Sequence, residues 1–181
     1  MESTLVQVRP SGLINPPFRS LSPYAQGPAV RQLQDSINLR FEALGVSNLR
    51  CLQVDGWFGN ETIVAVKYLQ CVSGLPVNGQ VTLRTYTFIT DGAAGLEPLT
   101  VGSVGISVLA VKQALADCSD VPVAQDGRFC ELTAQAVRAY QRQKGLVEDG
   151  KVGEKTWGEI VRSRLKGLPC IALVPRLYNN N

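Results

Sequence analysis

The stretch LVEDGKVGEKTW, residues 146–157, decides how the chain is organised. An Asp-Gly pair ordinarily marks a tight hairpin between two strands. The flanks of Asp149-Gly150 do not alternate apolar and polar residues, so a hairpin fits poorly. Laying the chain over itself shows that the pattern recurs. At an offset of 71, Asp55-Gly56 falls on Asp126-Gly127 and Asn78-Gly79 on Asp149-Gly150. Between positions 55 and 86 this offset gives twelve identities in thirty-two positions without a gap. They include Phe58 with Phe129, Thr62 with Thr133, Gln70 with Gln141 and Val81 with Val152. Upstream, Gly27, Val30 and Leu33 correspond to Gly105, Val108 and Val111 at an offset of 78. The first copy therefore carries seven extra residues (78 − 71) within LGVSNLRCLQ, in a surface connection where added length costs little.

Each copy has the periodicity of three helices. Val30, Leu33, Ile37, Phe41 and Leu44 follow Pro28 at three-to-four spacing, and Gly45 stops that helix. A second helix begins after Gly59-Asn60 and ends at Gly74, its counterpart ending at Gly145. Thr82 and Gly153 are acceptable N-caps for a third, whose second copy places Trp157, Ile160, Val161 and Leu165 on a core face. The four pairs Asp55-Gly56, Asn78-Gly79, Asp126-Gly127 and Asp149-Gly150 are then helix-to-helix corners. Glycine supplies a positive φ, the Asx side chain bonds nearby N–H groups, and the following Phe58, Val81, Phe129 or Val152 enters the core. They lack the alternating ligands and closing Glu of a calcium-binding loop.

Composition narrows the function. The 181 residues are 45% hydrophobic and 18% charged, as in a folded globular chain. A net charge of +3 gives no electrostatic footprint for nucleic acid, and no apolar run is long enough to span a bilayer. Glu2 and the broken apolar pattern of the first twenty residues predict no secretion signal, hence synthesis in the cytoplasm. Histidine is absent from the chain, which removes the commonest general base and zinc ligand. Without it the Gly102-Ser103-Val104-Gly105 run has no base and is not a nucleophile elbow. Neither a metal nor a cofactor is expected. Cys51, Cys71, Cys118, Cys130 and Cys170 form no Cys-x-x-Cys pair. Free thiols, mostly buried as small hydrophobes, are the expectation, with a Cys118–Cys130 bridge open in an oxidising setting.

The motif Asp55-Gly56-Trp57-Phe58-Gly59 with Thr62, together with Asp149-Gly150-x-Val152-Gly153 and Thr156-Trp157, resembles the peptidoglycan-binding-domain-like three-helix module. The resemblance covers about 24–89 and 103–163. Cys130 replaces the motif glycine that Gly59 supplies, Lys112 replaces the Gln34 of the first copy, and Leu69 stands where an aromatic is preferred. The fold implied is all-α: two tandem three-helix modules, at 24–89 and 103–167, joined by a linker at 90–102. An extended arm at 1–23 and a tail at 168–181 complete the chain. The function implied is attachment to the bacterial cell wall, with peptidoglycan as partner. Only about twenty residues flank the repeats on each side, below what a catalytic domain needs, so the expected role is non-enzymatic.

Trp57 is a candidate ligand contact, because an aromatic on an exposed corner stacks on a sugar face, or else packs on the neighbouring repeat. Arg128 occupies the same place in the second copy; it suits a stem-peptide carboxylate, or is simply solvated. Arg31 and Gln34 complete the candidate set. Tyr68, Tyr140 and Trp157 have core spacing and are assigned to packing. The apolar residues among the prolines of 1–23, and the Cys170–Val174 run, predict segments that either fold back or dock on other protein subunits. Two readings follow. One is a wall-binding protein carried to the wall in a phage or envelope-associated assembly. The other is a structural subunit of a tail, baseplate or capsid that makes protein contacts alone.

Overall fold

A computed structural model describes residues 20–46, 51–116, 122–165 and 170. Among them α1 (Pro28–Ala43), α2 (Asn60–Val72) and α3 (Leu83–Asp91) form the first module. Helices α4 (Ile106–Ala116), α5 (Glu131–Gln143) and α6 (Glu154–Leu165) form the second. Pro28 opens α1, where its missing N–H loses no bond. Thr82 caps α3 by accepting the Thr85 N–H at 3.4 Å. The apolar stripe Val30, Leu33, Ile37 and Phe41 is buried as its spacing requires, and so are Tyr68, Tyr140 and Trp157. The arms at 1–23 and 168–181 lie outside the described residues, apart from 20–23 and Cys170.

The four corners are built alike. Gly56, Gly79, Gly127 and Gly150 have φ of +79°, +79°, +67° and +72°. Asp55, Asn78, Asp126 and Asp149 each accept the N–H two residues on, at 2.8, 2.9, 3.0 and 2.9 Å. Phe58, Val81, Phe129 and Val152 then enter the core. A buried side chain from a preceding helix clamps each turn. Gln141 donates to Asp149 Oδ1 and the Lys151 carbonyl, both at 2.8 Å, and accepts the Gly150 N–H at 2.9 Å. Gln70 does the same for Asn78-Gly79. Gln34 and Lys112 hold the first corner of each module.

Two expectations change. Each module begins earlier than 24 or 103, because Leu21 exchanges both backbone hydrogen bonds with Val81 and Leu99 with Val152, at 2.8–3.1 Å. Residues 90–102 are consequently no tether: α3 reaches Asp91, Gly92–Gly95 makes a 3-10 turn, and Leu96 and Leu99 are buried. The modules dock, and their buried residues form one core. Arg164 of α6 donates to the Cys71 carbonyl at the end of α2, at 2.9 and 3.1 Å, and to the Ala110 carbonyl of α4 at 3.2 Å. Ser107 Oγ donates to the Gly74 carbonyl at 3.1 Å, and Trp157 Nε1 to the Glu97 carbonyl at 2.9 Å.

The cysteines also differ from expectation. Cys71 and Cys170 are disulfide-bonded, whereas Cys51 and Cys130 are free and exposed rather than buried. Cys130 is therefore not bridged to Cys118, which itself lies outside the described residues. The pairing follows from docking: packing the second module on α2 lets the chain beyond α6 return to Cys71, with a Cα–Cα distance of 5.6 Å.

Candidate functional site

The first corner of the first module projects its middle residue outward because both neighbours are held inward. The Gly56 N–H is bonded to Gln34 Oε1 at 2.9 Å, and the Phe58 ring is buried. Trp57 between them pairs antiparallel with Gln26 and keeps 40% of its surface exposed. Its indole lies across Gly59: a Cβ there would stand 2.6 Å from Cδ1 and 2.7 Å from Nε1. The motif glycine thus makes room for this tryptophan as well as opening α2. Tyr24 stands beside it, 63% exposed, with ring centroids 6.2 Å apart and planes inclined by 45°.

Two shallow clefts flank the corner and share Asp55 as a wall. One, about 290 Å³, lies toward the start of α2 and includes Gln53, Asn60 and Glu61. The other, about 430 Å³, includes Gln26, Pro28 and Arg31. Hydrogen bonds from the Gln34 amide and the Trp57 N–H hold the Asp55 carboxyl below its ordinary pKa, and the Arg31 charge adds to this. Arg31 is exposed and lies against Gly56. Trp57, Arg31 and Asp55 therefore share one face.

Gln34 does not belong to the exposed part of that face. It is buried, and its amide donates to Asp55 Oδ1 at 2.8 Å, the Trp57 carbonyl at 3.0 Å and Thr62 Oγ1 at 3.2 Å. The expectation of a ligand contact at Gln34 gives way to a clamp, since an amide so engaged has no donor left for a ligand. Gln70 and Gln141 clamp their corners in the same way from eight residues upstream, but Gln34 stands twenty-one residues ahead of Asp55, so spacing gave no signal for it. Tyr24 carried no local signal either, because only tertiary packing brings it to Trp57.

In the second module the equivalent corner differs at each of these positions. Arg128 pairs with Val104 where Trp57 pairs with Gln26, and it is exposed. Gly102 stands where the first module has Tyr24, and Cys130 where it has Gly59. Lys112, only 1% exposed, reaches Asp126 Oδ1 and the Ala124 carbonyl at 2.6 and 2.8 Å. That hydrogen bond lowers the Asp126 carboxyl pKa, as does the Arg128 N–H. Among the described residues no group of three His, Cys, Asp or Glu side chains could hold a metal, and no helix is long and apolar enough to cross a membrane.

No curated protein and no solved structure gives a match to the chain. The family described as "Putative peptidoglycan binding domain" matches it twice, over residues 26–89 and 105–160, the two modules built above. The chain therefore belongs to the peptidoglycan-binding domain family and carries its helical module in tandem.

Proposed function

We propose that this chain is a non-catalytic peptidoglycan-binding protein whose principal contact is the Trp57 corner of the first module. The observation that carries the reading is the family match over both modules. The exposed indole, flanked by clefts with polar walls, suits a partly hydrated polymer. Arg31 beside it, and Arg128 on the equivalent corner, offer planar donors to carboxylates of the stem peptide. The docked modules present both corners in a fixed relation, so joint engagement depends on the spacing of the polymer and not on a linker. The Cys71–Cys170 bond supports a working place on the oxidising side of the envelope. Delivery there by a virion or an envelope-associated assembly, with 1–23 and 168–181 contacting its other subunits, completes the proposal.

Co-sedimentation of the full chain with purified sacculi tests the reading. Binding that weakens in Trp57→Ala, and to a lesser degree in Arg128→Ala, is the expected result. A folded chain that stays in the supernatant at low and moderate salt would refute it.

A further inference from the structure

Tyr24 has φ +69°, the one positive-φ residue other than glycine among those described. A bulky aromatic in this region is strained. The repeat supplies its own comparison: position 102, which is Tyr24 plus 78, is a glycine with φ +96°. Both residues make the same backbone bond, Tyr24 N–H to the Phe58 carbonyl and Gly102 N–H to the Phe129 carbonyl, each at 2.9 Å. The fold thus needs a left-handed residue here and is satisfied by glycine. The first module places a tyrosine there instead, leaves its ring exposed and sets it beside the exposed Trp57. Folding alone does not account for that choice.

We propose that Tyr24 and Trp57 form a stacking platform for the neutral glycan strand of peptidoglycan, present in the first module alone. The proposal rests on the peptidoglycan-binding reading and names the part of the polymer recognised. Of the two clefts at this corner Arg31 lines one, and the other, which Trp57 itself lines, argues for glycan over stem peptide. Its lining includes the amides of Gln53 and Asn60 and the carboxylates of Asp55 and Glu61, and no lysine or arginine. Glu61 already answers the positive end of α2. Such a wall accepts and donates hydrogen bonds to hydroxyl and N-acetyl groups, and it repels the carboxylates of a stem peptide. Aromatic faces beside planar polar groups complement a pyranose, which has an apolar face and a hydroxylated rim. The second module has Gly102, Arg128 and Cys130 at the corresponding positions and so has no platform.

The test titrates the full chain with the neutral hexamer of N-acetylglucosamine and, separately, with a soluble stem tetrapeptide, alongside sacculus sedimentation. Calorimetry measures affinity in every variant; Trp157 is buried and Trp57 exposed, so in the parent and Tyr24→Gly a change in tryptophan emission also places the ligand at the corner. Hexamer binding is expected to weaken roughly five- to tenfold in Tyr24→Gly and in Trp57→Ala, and to be unchanged in Gln143→Leu, an exposed position on α5. Tyr24→Gly restores the residue the fold uses in the second module, so it should melt no lower than the parent, and its loss of binding is not a loss of folding. Sacculus binding with no response to the hexamer, or with the tetrapeptide as the better ligand, would overturn the glycan assignment and leave the peptidoglycan reading standing. Hexamer binding that Tyr24→Gly and Trp57→Ala leave intact would overturn the platform. Failure to bind sacculi and hexamer alike would overturn both.

Discussion

Replacing Gln141 by leucine keeps most of the side-chain volume and removes every hydrogen bond that clamps the Asp149-Gly150 corner. Gln141 is 1% exposed. It donates to Asp149 Oδ1, the Lys151 carbonyl and Thr156 Oγ1 at 2.8, 2.8 and 3.1 Å, and accepts the Gly150 N–H at 2.9 Å. Asp149 and Lys151 are exposed, so water replaces much of what they lose. Gly150 is buried, and its N–H is left without this acceptor at a cost of about 1–3 kcal/mol. With about 1 kcal/mol for the bond to buried Thr156, the loss should total about 3 kcal/mol. That is a large share of the roughly 5–15 kcal/mol that holds a domain folded. It corresponds to a fall in melting temperature of roughly 6–12 °C for a chain of this length. Urea unfolding followed by circular dichroism would measure it, with Gln143→Leu on the exposed side of the same helix as control. The control should lie within about 0.5 kcal/mol of the parent. A Gln141→Leu variant within about 1 kcal/mol of the parent, at unchanged m-value, would refute the clamp as a determinant of the fold.

Three further predictions rest on separate observations. Arg164→Lys should lower stability by about 2 kcal/mol, because an ammonium cannot reach the Cys71 and Ala110 carbonyls together as the guanidinium fork does; an unchanged urea midpoint would count against the inter-module link. Asp55, Asp126 and Asp149 are held below the ordinary carboxylate pKa, chiefly by Gln34, by Lys112 and by the Lys151 N–H respectively. Their stabilisation is complete above the unfolded value of about 4 and is lost as pH falls through the folded values. Asn78 holds its corner without a titrating group, so Asp55→Asn with Asp149→Asn should flatten the acid limb of the midpoint against pH; a limb of the same depth would argue that other groups set it. Cys170→Ser opens a bridge between residues 99 apart and should cost about 2–4 kcal/mol. Reductant should lower the melting temperature of the parent and leave the variant unaffected, and a parent melt insensitive to reductant would contradict this.

The corners show what could be read in one dimension. A positive φ at Gly56, Gly79, Gly127 and Gly150, and the Asx bond two residues on, are local properties, so dipeptide spacing located them. The clamping role of Gln34 was hidden for a related reason. A polar side chain on the apolar stripe of α1 looks free until the corner that takes up its amide is folded against it. Trp57 was found because an aromatic at a turn is conspicuous in the sequence. Its partner Tyr24 was not, because they meet only when Gln26 pairs with Trp57.

The tandem repeat, the helical periodicity, the four corners and the family are legible in the sequence, since each depends on contacts within a few residues or on comparison of the chain with itself. Tertiary structure alone decided that the stretch after α3 is core and not linker, and that Arg164 ties α6 to α2 and α4. It also decided that Cys71 meets Cys170 and that two aromatic rings share one face. These contacts join residues 33 to 99 positions apart. Closing such loops is driven by burial of apolar surface between whole modules, and no local pattern of residues records where that burial will bring the chain together.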